Sequence, residues 1–165
     1  MTGLLVVCGL GCAPERDATL EALATLASCE KRFSRLTPRR RAWLARRVGT
    51  VRPAPSAAAV ARAARGARVG LAVWGHATVT SAFAREALAA AEALGVATIV
   101  VASLSPAGRG IGDTARPLGW RGDEDDGWSV VPEEEAPRGG PSRPTAVFDA
   151  EAETMRVVLP GRRRG

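Results

Sequence analysis

Three uninterrupted apolar runs organise the chain: Leu4-Leu5-Val6-Val7-Cys8, Val69-Gly70-Leu71-Ala72-Val73-Trp74 and Ala97-Thr98-Ile99-Val100-Val101-Ala102. Each predicts a strand, and the continuous first run, from about Gly3 to Cys8, suits one buried on both faces, as in parallel sheets. Weaker strands are read at Arg32 to Leu36 and Val48 to Arg52. Between them the pattern turns helical. Pro14-Glu15-Arg16-Asp17 opens a helix through Ala27, with Leu20, Leu23, Ala24 and Ala27 on one face. The proline near its start and the early acids are start signals. Thr37-Pro38 reads as N-cap and first residue of a helix to Arg47, and Ser56 caps an alanine-rich helix to Arg65. Thr80 or Ser81 begins a further helix, Ala82 to Leu94, which Gly95 ends. This alternation predicts an α/β fold: a doubly wound, mostly parallel five-stranded sheet with helices on both faces.

The composition changes near Pro117. Arg121 to Gly127 is acidic, Glu133-Glu134-Glu135 is a charge run, and Arg138 to Pro144 is rich in Gly and Pro. We therefore divide the 165 residues into an α/β domain (1–119), an acidic and Gly/Pro-rich linker (120–144) and a tail (145–165). The first part includes a short helix at Gly108 to Ala115. In the tail, Thr145 to Phe148 and Met155 to Leu159 read as a C-terminal β-hairpin, followed by the basic Arg162-Arg163-Arg164.

Charge alters this picture little. The formal net charge is +6, and of 23 basic residues only Lys31 is a lysine. An arginine-rich surface on an Ala- and Gly-rich background is read as solvated rather than as a polyanion site. No nucleic-acid motif or aromatic ladder accompanies Arg39-Arg40-Arg41 or Arg46-Arg47, so no specific nucleic acid is expected. Cys8, Cys12 and Cys29 lack the paired spacing of a zinc site. Cys8 is read as buried in a strand, and Cys12 as either a reactive thiol or a small packed residue. No run approaches the roughly 20 apolar residues of a membrane span, and the first run is too short for a signal peptide. A cytoplasmic protein with reduced thiols is expected. The chain has no tyrosine, which removes phenol catalysis.

Candidate chemistry concentrates in two glycine turns, each directly after an apolar strand. The first is Gly9-Leu10-Gly11-Cys12-Ala13-Pro14 and the second Gly75-His76-Ala77-Thr78-Val79. In parallel α/β sheets ligands bind at the carboxyl ends of the strands, where small residues let the backbone come close. His76 is the only histidine. It is read either as lining a cofactor or as a turn residue hydrogen-bonded for structure. No other histidine and no clustered cysteine completes a metal shell, so no metal site is expected. Thr78, Thr80 and Ser81 read as helix-capping residues first and ligand contacts second. Trp74 is placed as a wall of the crevice. A dinucleotide fingerprint fails, since Pro14 stands where its third glycine belongs and Glu30 precedes the second strand. Asp123-Glu124-Asp125-Asp126 reads as a solvated loop rather than a metal loop.

The order of strand, glycine turn, helix, then strand, Gly-His turn, helix, strand and Ser-rich turn resembles the N-terminal domain of the tetrapyrrole (corrin and porphyrin) methylase family. Gly9-Leu10-Gly11-Cys12-Ala13-Pro14-Glu15 is similar to that family's GxGPGD turn. Gly75-His76-Ala77-Thr78-Val79 is similar to its GHP form, and Ser103-Leu104-Ser105-Pro106 to its PGISS-like turn. The resemblance covers residues 3 to 119. It implies S-adenosyl-L-methionine (or S-adenosyl-L-homocysteine) as cofactor, in a cleft between two α/β domains. Carried over by position, Gly9, Gly11 and Ala13 line one side of that cleft. Gly75, His76, Ala77, Thr78 and Val79 form the second, with Ser103 and Ser105 near the third strand end.

The family methylates tetrapyrrole macrocycles, and relatives methylate peptide amides. The resemblance thus implies a methyltransferase-like protein, shortened or split, acting on a small-molecule or peptide acceptor. The chain departs from the pattern at several points. Ala13 (or Pro14) and Glu15 stand where the first turn has its second glycine and its aspartate, and Ala77 where proline is usual. The family's second domain has no counterpart of adequate length. A homodimer or a partner protein is therefore expected to complete the cleft. The alternative is a non-catalytic relative acting as a binding or assembly module for a biosynthetic partner.

Overall fold

The computed structural model describes residues 3–78, 80–101, 103, 129–132, 136, 145–149 and 154–158. Five parallel strands form the main sheet: β1 (Leu4–Gly9), β2 (Lys31–Ser34), β3 (Arg52–Pro53), β4 (Arg68–Val73) and β5 (Ala97–Val101). Their order across the sheet is β3-β2-β4-β1-β5. β1 and β4 are central and buried almost throughout, as their unbroken apolar runs require. The expected fold is present, and every pairing in this sheet is parallel.

The helices divide between the faces. α2 (Leu20–Ala27) and α3 (Pro38–Val48) cover one face, where Val6, Cys8, Leu10, Ala72 and Trp74 meet Leu26, Trp43 and Leu44. On the other, α4 (Ala57–Ala63) and α5 (Ala82–Ala93) present Val60, Ala61, Ala84, Ala87 and Ala91 to Leu5, Val7, Val69, Leu71 and Val73. The alternation of strand side chains explains both sets, since odd and even residues of β1 point to opposite faces. Each fully buried Leu or Val among them contributes about 1.5–3 kcal/mol by leaving water. Alanines on α4 and α5 let these helices lie close to the sheet and to each other.

The first helical stretch departs from the sequence reading. It is two helices, α1 (Pro14–Asp17) and α2, separated by an extended Ala18. Asp17 folds back so that its Oδ2 accepts the Ala13 N–H at 2.7 Å, which closes a single turn. Thr19 then caps α2 by accepting the Ala22 N–H at 3.1 Å. The restart rotates the buried face: Ala22 and Leu26 are buried, whereas Leu20 is 87% exposed and Ala24 and Ala27 lie outside. The third strand is shorter than expected because α3 retains Val48.

Beyond the main sheet, β7 (Thr145–Asp149) and β8 (Thr154–Val158) form the expected antiparallel pair. β6 (Ser129–Pro132) lies parallel to β7, within the stretch whose composition reads as linker. The expected helix at 108–115 lies outside the described residues. Among the described residues, no helix is long and apolar enough to cross a membrane.

Candidate functional site

Strand order brings the two glycine turns together. β1 and β4 are neighbours, and Cys8 pairs with Ala72 and Gly9 with Val73, so both strands end at the same level. The chain leaves β1 toward α2 on one face and leaves β4 toward α5 on the other. Divergence of this kind marks the switch point where open α/β sheets bind ligands.

Here the turns also close on each other. The Gly11 N–H donates to the Gly75 carbonyl at 3.2 Å, and the Gly75 N–H returns a bond to the Gly11 carbonyl at 3.0 Å. The Ser103 hydroxyl sits against this bridge. It accepts from the Gly11 N–H at 3.1 Å and donates to the Gly75 carbonyl at 2.8 Å. Thr80 supports the turn from below, its Oγ1 lying 3.0 Å from the Trp74 carbonyl and 2.9 Å from that of His76.

This packing accounts for the glycines. Gly11 and Gly75 have φ of 76° and 67°, in the left-handed region that side chains disfavour. A Cβ on Gly11 would stand 2.3 Å from the Asp17 Cβ, and one on Gly75 would stand 2.3 Å from the Thr80 Oγ1. At Gly9 a Cβ would meet the Gly75 carbonyl oxygen and the Ala77 N. The space beside each glycine holds the protein's own atoms.

The accessible rim is built from other residues. Gly9, Gly11, Gly75, Ala77 and Ser103 are buried, with Ala77 packed in the core below α5. Cys12, Ala13, His76 and Thr78 are half-buried. Val79 and Ser105 lie outside the described residues. His76 Nδ1 accepts from the Thr78 N–H at 3.4 Å, with the Thr78 hydroxyl 3.3 Å away. That acceptor role puts the proton of the neutral ring on Nε2. Burial holds its pKa below the ordinary 6.5, so the ring is neutral at pH 7.

The Arg85 guanidinium lies beside the rim. Arg85 donates to the Thr78 carbonyl at 3.2 Å. Arg35, just past β2, lies over the Phe83 ring at 5.0 Å.

Several residues have roles that sequence reading missed. Trp74 does not wall a crevice. It is 2% exposed in the α2/α3 core, and its Nε1 donates to the Cys12 carbonyl at 3.0 Å, pinning the first turn. Of the two caps the sequence offers for α5, Ser81 is the one that accepts the Ala84 N–H, at 3.1 Å. Glu15, in the place of the motif aspartate, is exposed and pairs with Arg40 at 3.8 Å. The buried acid is Asp17, two residues on. Glu30 lies at the amino-terminal end of β2, where its Oε1 accepts from the Arg68 N–H at 2.9 Å, far from a ribose position at the strand ends.

The polar side chains at the rim are a neutral imidazole, with its N–H on Nε2, and the Thr78 hydroxyl. The glycine N–H groups contribute nothing to a ligand, since Gly11 and Gly75 spend theirs on each other. No protein-family model matches the chain, and no curated protein matches it in sequence.

Proposed function

We propose that the carboxyl edge of β1 and β4 binds S-adenosyl-L-methionine or S-adenosyl-L-homocysteine, in a methyltransferase-like protein of the cytoplasm. The observation that carries this reading is the convergence of both glycine turns at the switch point, with half-buried Cys12, Ala13, His76 and Thr78 around them. The cofactor's sulfonium supplies methyl-transfer reactivity, so the chain needs to bind, orient and exclude water rather than move protons. A neutral His76 adds no positive charge beside a sulfonium, and its Nε2–H remains as a donor. Three free thiols are consistent with a reducing compartment.

Calorimetric titration of the full chain with S-adenosyl-L-homocysteine tests the reading. Micromolar binding is expected, weakened at least about tenfold (about 1.4 kcal/mol) by Thr78→Arg, which crowds the rim and leaves the glycine bridge intact. Absence of heat at saturating ligand, with the protein folded, contradicts it. Gly75→Val is unsuitable here, because it strains the turn whether or not a ligand binds there.

One observation favours a second reading, the non-catalytic binding or assembly module. The glycines that would approach a cofactor instead bind each other. Under that reading the closed turns are a structural keystone and the rim takes no cofactor.

A further inference from the structure

The charges of this chain are sorted by sign along the sequence. Between Glu30 and Glu86 it carries thirteen basic residues and no acid, so all seventeen acids lie outside that span. An arginine-rich composition explains the number of cations but not this separation. Protein surfaces ordinarily intersperse the two signs, which limits self-repulsion. Five of the thirteen stand on the eleven-residue α3: Arg39, Arg40, Arg41, Arg46 and Arg47. Three of these lie near its start, where cations oppose the helix dipole, so helix stability does not account for them.

Packing fixes which way they face. Trp43, Leu44 and Val48 are buried in the core, which leaves Arg39, Arg46 and Arg47 exposed. Arg39 and Arg46, seven residues apart, lie on one stripe, about 10 Å from each other along the axis. Neighbouring arginines are held by groups that leave their charge intact. Arg47 donates to the Trp43 carbonyl at 3.3 Å, with its guanidinium over the Trp43 ring at 4.2 Å. Arg41 donates to the Leu36 carbonyl at 3.5 Å. Arg32 donates to the Leu26 and Ala27 carbonyls and borders Gly49, at the end of α3. Against these, α1 and α2 offer Glu15, 3.8 Å from Arg40, and the exposed Glu21, while Asp17 is buried and bonded to the Ala13 N–H.

We infer that the outward stripe of α3 binds the phosphate backbone of a nucleic acid without reading its bases, and this does not depend on the cofactor reading. α3 is about 16 Å long at 1.5 Å per residue, and a duplex carries one negative charge per about 1.7 Å of its axis. About ten phosphates therefore pass the helix, and guanidiniums meet phosphate oxygens in bidentate geometry. Base stacking has no platform on this stripe. Trp43, the one aromatic residue of α3, is 8% exposed and lies under Arg47. An anionic membrane fits less well. A helix lying on a bilayer buries an apolar face in it, and the apolar face of α3 is already in the protein core.

Fluorescence anisotropy of labelled DNA and RNA duplexes of arbitrary sequence, titrated with the full chain, tests the inference. Micromolar binding is expected at low salt, and the tighter of the two duplexes names the source of the backbone. With Arg39, Arg41, Arg46 and Arg47 each on a phosphate, affinity for DNA falls about a hundredfold between about 50 and 200 mM salt. Arg39→Ala with Arg46→Ala, both exposed, removes two contacts and reduces that fall to about tenfold. Arg62→Ala with Arg65→Ala takes the same charge from the opposite face, on and just after α4, and leaves the salt dependence unchanged. Absence of binding at low salt overturns the inference; solvent, or the acidic stretches at 123–126 and 133–135, then serves these arginines. Equal losses from the two variant pairs overturn it as well, since net charge rather than α3 then governs binding. So does binding to phosphatidylserine vesicles as tight as binding to either duplex.

Discussion

Gly75 carries the contact on which the candidate site is built, and its constraint is steric as well as conformational. Gly75→Ala forces a side chain into the left-handed region and against Thr80, at a cost of about 2–3 kcal/mol. Thermal unfolding should then fall by about 5–10 °C, at roughly 2–4 °C per kcal/mol for a chain of this size. His76 gives the second residue-scale prediction. Its folded-state pKa lies below the unfolded value near 6.5, so the folded state binds the proton less readily. The stability it lends is complete above 6.5 and is lost as pH falls through the lower folded-state value. With no other histidine in the chain, urea midpoints measured from pH 7 toward 5 should fall, and His76→Gln should flatten that slope. At this scale the sequence told where the chain turns but not what the glycines touch. Glycine spacing marks a turn, whereas the neighbours of a turn come from strands and helices remote in sequence. Asp17 and Thr80 were hidden for the same reason. Their residue types suit a helix start, and only the folded chain shows them buried beneath Gly11 and Gly75.

The strands were the most legible elements, because a strand buried on both faces must be apolar at nearly every position. β1 and β4 fall within a residue of the apolar runs that predict them, and so does β5, although it lies at the sheet edge with Ala97 to Val100 exposed. Helices were less legible where a local side chain overrode periodicity. The break after α1 follows from Asp17 bonding back to Ala13, which leaves Thr19 to restart the helix and turns Leu20 outward. Caps could be located but not always attributed, as the choice between Thr80 and Ser81 shows. Ser81 is buried at the start of α5, while Ser56 caps α4 in the open. Ser81→Ala should therefore cost about 1–2 kcal/mol, and Ser56→Ala nearer about 0.5 kcal/mol. Paired chemical-denaturation curves for the two variants check this order. A larger loss at Ser56 would mean that α5 is not anchored at the rim as described.

Across the whole molecule, double winding places two sets of helices on opposite faces and leaves one edge where both glycine turns emerge. The thiols inside are protected by that arrangement. Burial pushes the Cys8 thiol up to about 12 and raises that of Cys29, so neither is a nucleophile at neutral pH. Reactivity toward small ligands is left to the rim, and the fold itself does not decide which ligand binds there. The cofactor we propose would meet Cys12, Ala13, His76 and Thr78, since the glycine backbone of the two turns is bonded to itself. The most direct measurement follows amide resonances of the full chain during titration with S-adenosyl-L-homocysteine. Shifts concentrated at Cys12, Ala13, His76 and Thr78, with the Gly11 and Gly75 amides still protected from exchange, are the predicted result. An unchanged spectrum at millimolar ligand, or shifts confined to other parts of the fold, would contradict a cofactor site at this edge.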